Sequence, residues 1–150
     1  MKNDKEYHNI VDEILNHKEF LKLKEYKHHG LTRYDHVLRV SYWSYKIAKS
    51  LKMDYKSVAR AGLLHDFFFV NNQAIKLGER IKVFCNHPKM ALENSKKYFK
   101  INKQEEKIIL SHMFPANLII PTSFESWLVN IIDSIVSVYD RIISIFNNKR

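Results

Sequence analysis

Six side chains of this sequence could do chemistry together: His36, His65, Asp66, His87, His112 and Asp133. The sharpest case is the run GLLHDFFFV, residues 62–70, where the ionisable pair His65-Asp66 stands among Leu, Phe and Val. Burying such a pair uncompensated costs on the order of several kcal/mol, and a divalent cation is one compensation that brings its own charge. Neutral imidazole is the commonest protein metal ligand, and carboxylates complete sites for Fe, Mn, Co, Zn or Mg. Adjacent side chains on a helix diverge by about 100°, so His65 and Asp66 can face one ion only where the helix ends or distorts. Taken singly, each histidine reads more readily as a hydrogen-bonded structural residue, and only the set points to metal. Asp133 also shares three- and four-residue spacing with Asn130, Ser137, Asp140 and Ser144, so the solvated stripe of an amphipathic helix is an equal reading for it. His8, His17, His28 and His29 lie in a basic N-terminal segment and read as surface residues.

The elements that must position these groups are helical. The spacing predicts a first helix over about 4–27, stopped near Gly30, and a second over about 34–51 with Val37, Val40, Ser44, Ile47, Ala48 and Leu51 on one face. Asp54 can cap a third, whose stripe Val58, Ala61 and Leu64 delivers His65-Asp66 at its C-terminal end. Residues 67–86, with Asn71, Asn72 and Gly78, read as a loop holding at most one short helix. Pro88 suits the first turn of a helix running to about Phe99, and Asn102 caps the next, which carries His112. Residues 114–123 contain two prolines and form a connector, and Thr122 with Glu125 has the capping-box spacing for a last helix to about Phe146. The expected fold is an all-α bundle of about six helices.

With 150 residues, 45% of them hydrophobic, and only three Gly and three Pro, a single domain spanning 1–150 is expected, and disorder or a turn-rich β fold is not. The net charge of +9 favours anionic ligands, phosphorylated metabolites or nucleic acid, without choosing between them. The lone Cys85 suits a reducing, cytoplasmic setting, and the start MKNDKEYHNI has no apolar core of a secretory signal. The apolar tract 127–146 is broken by Asn130, Asp133, Asp140 and Arg141 and reads as a core helix, so no membrane partner is expected.

The ordered motifs TRYDH (32–36), GLLHD (62–66), HPKMAL (87–92), IILSHM (108–113) and NIID (130–133) resemble the HD-domain superfamily of metal-dependent phosphohydrolases. The resemblance covers about 31–139 and implies a helical bundle. It implies a core metal site of His36, His65, Asp66 and Asp133, with His87 and His112 completing a second site. One or two divalent ions there would acidify water and offset charge on a phosphate ester, with Asp66 between them. The implied activity is hydrolysis of a phosphomonoester or phosphodiester of a nucleotide or another small phosphorylated compound. Arg33, three residues before His36, could grip a phosphate. A homodimer is suggested by analogy only.

Two positions depart from the pattern. Many relatives follow His-Asp with Gly-Lys, where this chain has Phe67-Phe68, and many follow the last Asp with Lys, where Ser134 stands. Arg33, Arg39 or a Lys of the 76–82 region are the candidates to replace the missing cation. An HD-fold module that binds a nucleotide or signalling phosphate without efficient cleavage is the first alternative. A basic helical nucleic-acid-binding domain is the second, although no recognition-helix or zinc-finger pattern is visible. The aromatic set Phe67, Phe68, Phe69, Phe84 and Phe114 reads as core or as a platform for a nucleobase.

Overall fold

In the computed structural model, which describes residues 4–28, 31–70 and 76–147, most helices begin at a polar side chain that accepts from the first turn. Asp4 caps α1 (Lys5–Leu15), His17 caps α2 (Lys18–Leu21) and Thr32 caps α3 (Arg33–Ser50). Asp54 caps α4 (Tyr55–Leu64), and Asn102 with Glu105 closes a capping box on α6 (Lys103–Ser111). The remaining two are α5 (Leu77–Tyr98) and α7 (Phe124–Asn147). Besides these, a 3-10 turn covers Lys22–Glu25, and two-residue strands β1 (Lys27–His28) and β2 (Leu31–Thr32) pair antiparallel. The all-α expectation holds, with seven α-helices among the described residues.

Local readings fail at four places. The first predicted helix divides at Asn16, because the His17 Nδ1 accepts from the Glu19 amide and starts a new turn. The loop expected over 67–86 is helical from Leu77 onward, and Pro88 lies inside α5 instead of opening it. A proline there leaves the carbonyl four residues earlier, that of Phe84, without its usual amide donor. The His87 Nδ1 lies 2.8 Å from that carbonyl and donates to it. For α7, Ser123 and not Thr122 is the cap, accepting from the Ser126 amide at 3.2 Å; Glu125 reaches instead to the Asp54 amide at 3.3 Å. The stop expected at Gly30 and the pair Asn71-Asn72 lie outside the described residues.

The core is built on α3, which packs most extensively against α4 and then α7. Gly62 permits the closeness of the first pair: a Cβ at this position would stand 2.7 Å from the Ser41 Cα. The Ser41 hydroxyl donates to the Ala59 carbonyl at 2.6 Å, and Tyr7 of α1 meets the same hydroxyl at 2.8 Å. Val37, Val40, Ala48, Val58, Ala61 and Leu64 are fully buried as their spacing predicts, whereas Leu51 is exposed. Helix α7 joins the core through Val129, Ile132 and Val136, as expected of its apolar tract, but only along one side. It buries Asn130, Asp133 and Asp140 and exposes Ile131, Ile135, Val138 and Ile142. Among the described residues no helix is long and apolar enough to cross a membrane.

Candidate metal centre

Three of the histidines use one local device. His65 and His112 are the C-cap residues of α4 and α6, where the last carbonyls of a helix lack amide donors. Their Nδ1 atoms lie 2.9 Å from the Gly62 carbonyl and 2.8 Å from the Ile109 carbonyl, each three residues back. His87 makes the equivalent bond to Phe84. A carbonyl only accepts, so Nδ1 carries the proton in each ring and Nε2 presents a lone pair. The end of α4 also resolves how adjacent residues serve one place. His65 closes the helix, and Asp66 lies in the following turn.

His36, on α3, is held differently. Its Nδ1 lies 3.0 Å from the Asp140 Oδ2, and its Nε2 lies 2.9 Å from the Asp133 Oδ1. Asp140 is fully buried and also pairs with Arg39. Such a carboxylate fixes ring orientation and raises the basicity of a ligating imidazole. Burial opposes the charged form of His36, but the bonds to Asp133 and Asp140 outweigh it and push the group up to about 9. Burial likewise opposes ionisation of Asp133, and the bond from His36 together with the nearby His65 holds it well below the usual carboxylate range.

The four imidazoles form a continuous row: His36 to His65 at 5.6 Å between ring centroids, His65 to His112 at 4.8 Å and His112 to His87 at 5.0 Å. Asp133 serves one end, its Oδ1 lying 3.5 Å from the His65 Nε2. Asp66 serves the other, its Oδ1 lying 3.1 Å from the His87 Nε2 and 3.7 Å from that of His112. Donor atoms of His36, His65 and Asp66 fall within 4.8 Å of one another, as do those of His65, His112 and Asp133, and those of Asp66, His87 and His112. All six predicted ligands are therefore brought together, each nine-tenths or more buried. Asp66 joins a group at each end of the row.

A cation fits this arrangement on two observations. The His65 Nε2 is buried without a hydrogen-bond partner among the described residues. The Nε2 atoms of His87 and His112 stand 2.9 Å apart while both Nδ1 atoms are committed to carbonyls. Two facing lone pairs repel unless a proton or a metal lies between or beside them. Burial, with His65 and His87 nearby, drives His112 down to about 3, so the proton is disfavoured at that nitrogen.

A family model described as HD domain matches residues 33–138. The chain belongs to the HD-domain family. Comparisons with curated proteins and with solved structures returned no match. In this HD domain the His/Asp set lies on α3, the end of α4, α5, the end of α6 and α7, so five helices converge on it.

Arg33 lies beside the centre and is itself 1% exposed. Its guanidinium stacks on Phe68 at 3.8 Å and donates to the Phe68 carbonyl. The His87 ring also stacks on Phe68, at 4.9 Å between ring centroids. Burial lowers the Arg33 pKa from its ordinary value and the negative charge of Asp66 opposes that. Its Nε has no hydrogen-bond partner among the described residues. Phe67 is core, Phe84 is exposed beside His87, and Phe114 packs edge-on against Trp127. Arg39 is engaged by Asp140, and the Ser134 hydroxyl donates to the Asn130 carbonyl.

Two positioning residues escaped the sequence reading. The spacing reads Asp140 only as part of a polar stripe, and Asn130 only as part of that stripe and of the NIID motif. The Asn130 Nδ2 donates to the His112 carbonyl at 2.6 Å and the Phe114 carbonyl at 2.9 Å, tying the end of α6 to α7. The signal available was their spacing from Asp133: residues three before and seven after it share its face of a helix.

Proposed function

We propose that this HD domain is a metal-dependent phosphohydrolase that cleaves a phosphoester of a nucleotide or another small phosphorylated compound. The observation that carries the reading is the membership of Asp66 in donor groups at both ends of one buried histidine row. The ions would be held by His36, His65, Asp66 and Asp133 at one end and by Asp66, His87 and His112 at the other. A bound divalent cation supplies Lewis acidity toward a phosphoryl oxygen and acidifies water.

The chain's own part is orientation and charge. Carbonyls of Gly62, Phe84 and Ile109 hold three histidines in the tautomer that presents Nε2, and Asp140 aims the fourth. Arg33 stands near Asp66 with its Nε uncommitted, a donor suited to a phosphate oxygen. In this reading Arg33, seated on Phe68, replaces the Lys that relatives carry after His-Asp. The net charge of +9 favours an anionic substrate, and some of the surface cations are locally paired: Lys49 with Glu6, Lys22 with Glu19, Lys96 with Glu106, and Arg60 with Glu13 and Glu105.

The test begins with metal content after purification without chelators and reloading with Fe, Mn, Co or Zn. Stoichiometric metal is expected, reduced strongly in His65→Ala and Asp66→Ala and unchanged in His17→Ala. Equal content in all three would remove the site assignment. A panel of nucleotides and phosphoesters then tests turnover, and metal without phosphate release would favour the non-cleaving binding module.

A further inference from the structure

Helix α7 faces its own bundle with Asp133 and Asp140 and turns an apolar side outward. Ile131, Ile135, Val138, Ile142 and Ile145 are between 48% and 60% exposed. Their spacing alternates four and three, the heptad period of a helix whose seam is covered by another helix. Phe124, Trp127, Tyr139 and Phe146 extend the same exposed face, which runs about 33 Å at 1.5 Å per residue. Beside it lies a groove of about 470 Å³, formed by Trp43 and Ile47 of α3 with Ile135, Val136 and Tyr139 of α7.

We propose that two copies of the chain pair through this face, α7 against α7 across a two-fold axis. Area, charge and shape select a second copy. With aromatic side chains of roughly 150–250 Å², the exposed parts of these residues amount to on the order of 900 Å², against roughly 800 Å² per partner in a stable interface and a few hundred Å² tolerated on a monomer. The chain carries +9, so two copies repel over most of their surfaces. The five heptad positions are uncharged, and the one charged residue lining the groove, Arg39, is paired with buried Asp140.

An anion would find no uncommitted cation in that groove. A helix lying on a membrane flanks its apolar face with Lys and Arg, whereas α7 carries only Arg141. A two-fold pairing places the same surface on both sides, so the Ile knobs of one copy meet the groove of the other. The opposite side of α7 is packed on its own bundle, so each copy offers one face, and α3 with Trp43 completes a four-helix layer. Pairing would then support the helix that carries Asp133 and Asp140.

Sedimentation of the full chain at about 1–100 µM, which brackets dissociation constants worth roughly 5.5–8 kcal/mol, is expected to give twice the chain mass. Ile135→Glu and Ile142→Glu should each give the single-chain mass with helical circular dichroism retained. If those variants fail to fold, Val138→Cys with Cys85→Ser decides: mild oxidation should yield a covalent dimer. A single-chain mass across the whole range, a dimer unaffected by the Glu substitutions, or a monomer that partitions onto phosphatidylcholine vesicles would each overturn the proposal.

Discussion

Replacing Asp140 with Asn tests whether a buried carboxylate seven residues beyond Asp133 tunes the centre or merely fills the bundle. The amide of Asp140→Asn would keep an acceptor near the His36 Nδ1, at 3.0 Å in the native contact, but would lose the charge that Arg39 and His36 both face. Two effects on metal affinity then oppose one another. Loss of orientation and ligand basicity weakens binding by about 10–100-fold, or about 1.4–2.7 kcal/mol. Loss of the charge also lowers the His36 pKa from about 9, and that relieves competition from the proton. At pH 7 the native protein must displace a proton held about two units above ambient, a cost of about 2.7 kcal/mol, of which the variant recovers part. At pH 9.5 little of that proton remains to be displaced.

The affinity ratio between native and Asp140→Asn protein should therefore be small at pH 7 and reach about 10–100-fold at pH 9.5. Competition for Co(II) against a chromophoric chelator measures it at both values. A parallel loss of about 2 kcal/mol in stability is expected from breaking the buried network, since the amide leaves one hydrogen bond in place. Lower stability with the same Co(II) affinity at pH 9.5 would refute the reasoning. So would a ratio independent of pH, which would show that the Asp140 carboxylate does not raise the proton affinity of His36.

Three further outcomes follow from the geometry. Metal-free protein should be most stable near pH 6.5: the raised pKa of His36 contributes about 3 kcal/mol that is fully present below its unfolded value and lost as pH rises to about 9, whereas the depressed pKa of His112 makes stability fall as pH drops from 6.5 toward 3. Chelator-treated melting curves across pH 4–9 check this (roughly the span of those two groups), and a flat profile above 6.5 would contradict it. Gly62→Ala gains helix propensity of about 1 kcal/mol but drives a Cβ to 2.7 Å from the Ser41 backbone, so a net loss of about 1–2 kcal/mol and weaker metal binding are expected in urea titration and chelator competition, and a stabilised variant would contradict the close-approach account. Arg33→Ala should retain metal while losing inhibition or binding by inorganic phosphate; unchanged phosphate binding would remove Arg33 from the substrate site.

The clustered set was legible because the ordered motifs that carry it resemble those of the HD-domain superfamily, and a helical reading placed its histidines near element ends or on core-facing stretches. Asp133 was ambiguous for a definable reason. A helical wheel separates stripes but does not say which one faces inward, and α7 is apolar on its exposed side as well as in part of its core contact. Asp140 was hidden by the same ambiguity. Pro88 misled through a sound local rule: proline is tolerated in a first turn, but inside α5 its cost is reduced because the carbonyl it leaves undonated, that of Phe84, accepts from His87. His87-Pro88 is thus one unit, which a residue-by-residue propensity cannot represent. Phe68 was likewise read only as core or base platform, because stacking between Arg33 and His87 depends on three separate elements.

The way the helices end explains why this centre suits a cation and how an anion could still approach. Helices α4 and α6 both terminate at the histidine row, and a helix C-terminus carries about half a negative charge. Together with Asp66 and Asp133, those ends make the apo site attractive to positive charge, the reverse of the helix N-termini that bind phosphate directly. The net charge of +9 does not set this local sign, because exposed charges more than about 8–10 Å apart are largely screened by salt. Among the described residues beside Asp66, Arg33 is the permanent cation, and Phe68 holds it in place through its ring and its carbonyl. The apolar residues after His65-Asp66 therefore do more than interrupt a familiar motif: they seat a cation drawn from α3 where the local chain supplies none.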